Sequence, residues 1–315
     1  MTDQVNGLPQ DPTWPELKLP ELLQNDAVRQ VHATIEKEWD FLQRSACQTA
    51  AGRALWKHVV RDPLAELLAG ETYLRNLHDK IKKDHLNNAR EISGVILAVR
   101  TLWFDSRLEL ALNSPNGREA QVVLLGAGMD TRAYRLSCLK DSDVFEVDFP
   151  EVLQVKATIL RAAEESAKDD DPQQQQIMCR AKSLTRVAAD IREDNWLEKL
   201  KISGFLPEKR TVWILEDFMN KPSTMLSSST FHFYSDWPDH LLPSIGFAHV
   251  KLSQIGDPDA HFGLLNDPLN LFNKLLNVPR SVQTHPDDGT PCCRLYLVEA
   301  SGSPDQSNEA TLSQS

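Results

Sequence analysis

Between Asn25 and Leu42 the apolar residues Val28, Val31, Ile35, Trp39 and Leu42 recur at three- and four-residue steps, with Glu36, Lys37 and Glu38 on the other side. That period predicts an amphipathic helix. Further helices are expected around Ala51 to Val60, Pro63 to Leu68 and Tyr73 to His85. A more apolar one, from about Ala89 to Leu112, carries a stripe of Ile92, Val95, Ile96, Val99 and Trp103, and Asn113-Ser-Pro-Asn-Gly117 ends it. From Gln121 the pattern changes to short apolar runs separated by helical stretches. Val122 to Leu125, Val144 to Asp148, Leu184 to Ala188 and Thr211 to Leu215 read as strands, with a helix from about Glu151 to Glu164 between the second and third. Later signals are a helix through Leu241 and Leu242, a strand near Phe247 to Leu252 and a last strand Arg294 to Glu299. Strands alternating with helices imply a mainly parallel, twisted sheet with helices on both faces.

Candidate chemistry sits at the ends of these runs. Gly126 and Gly128 follow the first strand, where missing side chains let the backbone turn tightly and lie against whatever the next helix N-terminus faces. Asp130 or Thr131 can cap that helix. As a bare pattern the turn fits either a dinucleotide site or simple packing, and Thr131 stands where the nicotinamide fingerprint has its third glycine. Asp148 ends the second strand, placed to accept both hydroxyls of a ribose. Asp190 and Ile191 stand just beyond the third, where a carboxylate and the next backbone N–H can hold an adenine edge, although Asp190 also reads as an N-cap for the helix through Trp196 and Leu200. Glu216 closes the fourth strand.

Gly126-Ala-Gly-Met-Asp-Thr-Arg-Ala-Tyr-Arg-Leu136 followed by Glu146-Val-Asp-Phe-Pro150 resembles the leucine carboxyl methyltransferase family of S-adenosylmethionine enzymes. The resemblance extends through Val187-Ala-Ala-Asp-Ile-Arg192 and Val212-Trp-Ile-Leu-Glu216, and back to Val99-Arg-Thr-Leu-Trp-Phe-Asp105. It implies an α/β, Rossmann-like S-adenosylmethionine methyltransferase fold with an N-terminal helical cap. The cofactor it implies is S-adenosyl-L-methionine, with Arg100, Gly126, Gly128, Asp148, Asp190, Ile191 and Glu216 as its binding residues. Taken alone, Arg100 reads as a surface arginine; by resemblance its planar fork pairs with the carboxylate of the cofactor's methionine part. The implied reaction is O-methylation of a carboxylate, on a protein C-terminus or a small molecule. Such an acceptor is ionised near neutral pH and needs no base. His232, His240 and His261 lack an orienting partner in the sequence, so no catalytic residue is assigned, and no metal-ligand spacing occurs.

The resemblance breaks after Glu216. Nineteen residues, Asp217 to Ser235, separate the fourth strand from the next helix, whereas a helix, a strand and their loops need roughly thirty. The fifth strand is therefore expected to be missing or substituted, with Ser229 to Tyr234 or Asp217 to Met219 as candidates for its slot. This motivates an alternative from another class, a cofactor-binding but impaired form acting as an interaction protein. A nicotinamide dehydrogenase is a third.

A net charge of −11 over 315 residues disfavours nucleic acid and anionic membranes as partners. Five cysteines without a C-x-x-C spacing suggest a reducing compartment, and no signal peptide or apolar run of membrane length is evident. The expectation is a cytoplasmic monomer. It divides into a flexible segment over 1–20, a helical cap over 21–117, a methyltransferase domain over 118–300 and a disordered tail over 301–315.

Overall fold

A computed structural model describes residues 15–87, 93–114, 119–166, 178–216, 238–254, 260, 262 and 296–302. Helix α1 (Asp26–Glu38) begins where Asn25 accepts from the Ala27 and Val28 amides, and it buries Val28 and Ile35. The apolar period runs on to Leu42, yet the helix stops at Glu38. Asp40 starts a new one, α2 (Phe41–Leu55), through a capping box: Gln43 N–H donates to Asp40 Oδ1 at 2.8 Å and Asp40 N–H to Gln43 Oε1 at 3.0 Å. Two orphan amides satisfied reciprocally outweigh the continuity of the stripe. The separate helix expected from Ala51 to Val60 is accordingly the second half of α2 and the turn after it. Helices α3 (Ala65–Ala69), α4 (Glu71–Leu86) and α5 (Val95–Asn113) complete the N-terminal layer. The expected beginning of α5, including Ile92, lies outside the described residues.

Four parallel strands follow in the order β3-β2-β1-β4: β1 (Gln121–Leu125), β2 (Asp143–Asp148), β3 (Ser183–Ala188) and β4 (Thr211–Leu215). Helices α6 (Arg132–Arg135), α7 (Pro150–Ser166) and α8 (Trp196–Ile202) lie between them in the chain. Because side chains alternate along a strand, Val122, Leu124, Val144 and Ile214 pack with α1 to α3 and α7, while Val123, Leu125, Phe145 and Val147 pack with Val187, Leu200 and Phe205 under α8. Helices therefore cover both faces, as expected of a Rossmann-like sheet. From β1 the chain steps to β2 and β3 on one side and then crosses back to β4 on the other. The carboxyl ends of β1 and β4 thus flank a switch point, the usual ligand crevice of an open α/β sheet.

The last elements do not extend this sheet. After α9 (Pro238–Ser244), strands β5 (Phe247–Gln254) and β6 (Tyr296–Gly302) form an antiparallel sheet of their own. Leu297 of β6 packs with Trp56, Val95, Val99 and Trp103, so this small sheet rests on the helical layer. The described part of β6 runs to Gly302, two residues into the stretch expected as tail, and its expected start at Arg294 lies outside the described residues. Both candidates for the fifth-strand slot, with His232 and His261, lie outside the described residues; among those described, β4 pairs with β1 alone. No helix among them is long and apolar enough to cross a membrane, and no group of metal-ligand side chains occurs among them.

Candidate functional site

At the end of β1 the chain enters a turn with φ of +65° at Gly126 and +48° at Gly128, both in the left-handed region that an L side chain enters at a cost. A Cβ on Gly128 would also sit 3.0 Å from the Ala46 Cβ of α2. The turn is drawn against its neighbours: the Gly126 and Ala127 amides donate to Val147 O, and the Gly128 amide donates to Asp148 Oδ2 at 2.5 Å. Asp148 is thereby fixed at the tip of β2, its second oxygen accepting from the Phe149 amide at 2.7 Å. Burial pushes its carboxyl upward in pKa, with those two amides opposing. Asp130 caps the following turn by accepting from the Arg132 amide at 2.7 Å. Thr131, at the place of a third glycine, is buried and donates instead to Asp62.

All seven sequence-predicted residues line one cavity of about 600 Å³, roofed by Ser45, Ala46 and Thr49 of α2. Asp190 stands just beyond β3, next to the tip of β2, where the Ala189 amide donates to Asp148 O at 2.9 Å. It is not an N-cap, since α8 begins six residues later behind Asn195. Its carboxylate is held by Arg192, which donates from its backbone amide at 2.9 Å and from both Nε and Nη2 of the guanidinium. Those hydrogen bonds keep the Asp190 carboxyl below its usual range. Arg192 also lies over the Phe149 ring, 5.5 Å from its centroid.

Arg100 is not a surface side chain: its guanidinium is 12% exposed and sits 3.3 Å from Glu216 Oε2. Glu216 accepts from Arg132 as well. Arg132 is the hub of the site, donating to Asp105 at 2.8 Å and to Asp130 and Glu216 while lying against Phe104. Burial opposes its charge, but Asp130, Glu216 and Asp105 together raise its pKa well above the ordinary arginine value. Burial would likewise raise Asp130; instead Arg132, Lys156, Arg53 and Arg135 bring it to about 2. Arg135 reaches Asp105, and Arg53 of α2 joins Asp62 at 2.7 Å to Met129 O at 2.5 Å. Alternating charges fill the floor beneath the glycine turn.

Sequence reasoning missed Arg132 and Asp105 as functional parts, although both lie in the quoted motifs. An arginine two residues after the capping aspartate was the available signal. Asp62 and Arg53 carry none, because only the packing of α2 and the turn after it against the sheet brings them to the site.

An open parallel sheet of this order, with acids at its strand ends and a ligand-sized crevice above a glycine turn, defines a Rossmann-like α/β domain whose binding site sits at the switch point. The chain belongs to the leucine carboxyl methyltransferase family, whose model matches residues 46–219. It is 33% identical over 194 residues to a Streptomyces coelicolor protein, covering 59% of this chain and 62% of that one. A Parafrankia relative is 36% identical over 126 residues, 40% of this chain and 35% of its own length. One from Mycobacteroides abscessus is 32% identical over 188 residues, 56% and 55% of the two. All three bear names that place them among S-adenosyl-L-methionine-dependent methyltransferases. The chain spans less than two thirds of the length of these curated relatives.

Proposed function

We propose that this chain binds S-adenosylmethionine in the crevice above the glycine turn and transfers its methyl group to an oxygen nucleophile, a carboxylate on a protein C-terminus or a small molecule. The observation that carries the reading is the Gly128 amide seated on Asp148, with Asp190 lining the same cavity of about 600 Å³. The donor set suits the cofactor. Asp148 offers acceptor capacity to a ribose diol, Asp190 and the Ile191 N–H suit an adenine edge, and Arg100 with Glu216 offers a cation and an anion to an amino-acid end. A Cβ at Gly128 would press on the Ala46 Cβ of α2 at 3.0 Å, and its φ of +48° favours glycine.

When bound, the cofactor supplies an electrophilic methyl on a sulfonium: the S–CH3 bond breaks with its electron pair left on sulfur as the O–CH3 bond forms. The protein's part is alignment and exclusion of water, which contribute through proximity rather than proton transfer. No base is required of an acceptor already ionised at neutral pH. The α2 roof over the glycine turn suits the exclusion of water.

A second reading is binding without turnover, as an interaction protein. The family match ends at 219, and among the described residues β4 has a strand neighbour on one side only. Calorimetric titration with S-adenosylhomocysteine, followed by transfer of a labelled methyl to carboxylate acceptors, tests both. Binding with transfer supports the first reading, binding alone the second, and absence of binding overturns both.

A further inference from the structure

The guanidinium of Arg192 makes more bonds to Asp190 than an exposed ion pair needs. Nε lies 2.9 and 3.0 Å from the two carboxylate oxygens and Nη2 2.5 Å from Oδ2, while the same residue's backbone amide takes Oδ1. Its far side lies over the Phe149 ring, at the end of β2. Arg192 thus clips the tip of β2 to the segment beyond β3, and the Ala189 amide on Asp148 O at 2.9 Å closes the same gap through the backbone. A carboxylate gripped on two oxygens by a planar fork has one orientation and stays ionised. Such a group accepts hydrogen bonds and cannot donate one.

We propose that Arg192 is a specificity-determining positioning residue: by fixing Asp190 as a pure acceptor, it makes the cavity select a purine with a 6-amino donor over one with a 6-oxo acceptor. This rests on the reading of the crevice as an S-adenosylmethionine site. A 6-oxo base would set its carbonyl oxygen against the carboxylate, acceptor to acceptor, which penalises it without any new contact. Without the Arg192 fork, the Asp190 carboxylate is free to turn away from the base. The penalty on the 6-oxo base then falls.

The test is calorimetric titration of the full chain with S-adenosylhomocysteine and with its deaminated analogue, S-inosylhomocysteine. The parent is expected to favour the adenosyl ligand, and Arg192→Ala to lower the affinity ratio by about threefold, the scale of a partly exposed ion pair. Arg192→Lys should retain part of the ratio, because an ammonium keeps the charge but not the fork. Asp190→Asn, whose amide can donate to a 6-oxo group, should reduce the ratio most. An unchanged ratio in Arg192→Ala, or equal weakening of both ligands, would overturn the proposal while leaving the cofactor site intact. A parent that binds neither ligand would instead remove the site reading on which the proposal stands.

Discussion

Strands β1 and β4 are neighbours of equal length, both apolar runs, paired in register from Gln121↔Thr211 to Leu125↔Leu215. Every residue of β1 is buried, whereas Trp213 and Leu215 of β4 are each 40% exposed. The difference lies in what surrounds each strand. β1 has a strand on both sides and helices above and below; β4 has β1 on one side, and α8, only seven residues long, beneath its Trp213 face. Burial is a property of place in the sheet, and two sequences of the same character acquire opposite roles, one a rigid base for the ligand turn and the other a half-covered flank.

Several substitutions would break or sharpen this contrast. Arg132 ties the ends of the two strands together, bonding Asp130 after β1 and Glu216 after β4. Arg132→Met should cost about 3–5 kcal/mol in denaturant unfolding, because Asp105, Asp130 and Glu216, each mostly buried, lose their shared cation. Next come the register partners Leu125 and Leu215: Leu125→Ala should cost about 2–4 kcal/mol and Leu215→Ala about 1 kcal/mol. Equal costs would show that β4 is as well covered as β1.

Ligand binding should divide the same way. Asp148, held on the β1 side by the Gly128 amide, should lose about 1.5–3 kcal/mol of S-adenosylhomocysteine affinity on change to Ala. An unchanged dissociation constant would remove Asp148 from the ribose role. The remaining effects are on pH dependence. The surrounding guanidinium groups and Lys156 bring the Asp130 carboxyl from its ordinary 3.8 to about 2, so its contribution, roughly 2 kcal/mol, is present above pH about 4 and lost as pH falls through about 2. Asp148 has the opposite sign: its raised folded pKa gives stability that is present below the unfolded value and lost as pH rises through the folded one. Asp148→Asn should therefore raise the melting temperature at pH 7 while weakening the ligand. A lowered melting temperature would show that the two amide hydrogen bonds outweigh its burial.

The sheet and its ligand edge were legible because both depend on short-range signals. Val122 to Leu125, the glycine pair and the strand-end acids sit within a few residues of what they act on. The break at Glu38 was legible too, in Asp40-Phe-Leu-Gln43, but the apolar stripe masked it. Other features depend on distant packing. Nothing near Asp62 announces that it will receive Thr131 from 69 residues away. Nor does any local pattern encode the docking of Leu297 in β6 on Trp56 and Trp103.

Gln43 closes the capping box of α2 through its side-chain oxygen, and through its side-chain nitrogen it donates to Glu151 at the start of α7, at 2.6 Å. One side chain thus serves the first turn of α2 and the rim of the cavity that Gln43 itself lines. Loss of the Gln43 side chain is therefore expected to loosen both at once. Backbone amides at the start of α2 should then exchange with solvent hydrogen at the frequency with which the cavity mouth opens, and slow together when a ligand fills it. A helix cap becomes, in exchange experiments, a clock for access to the site.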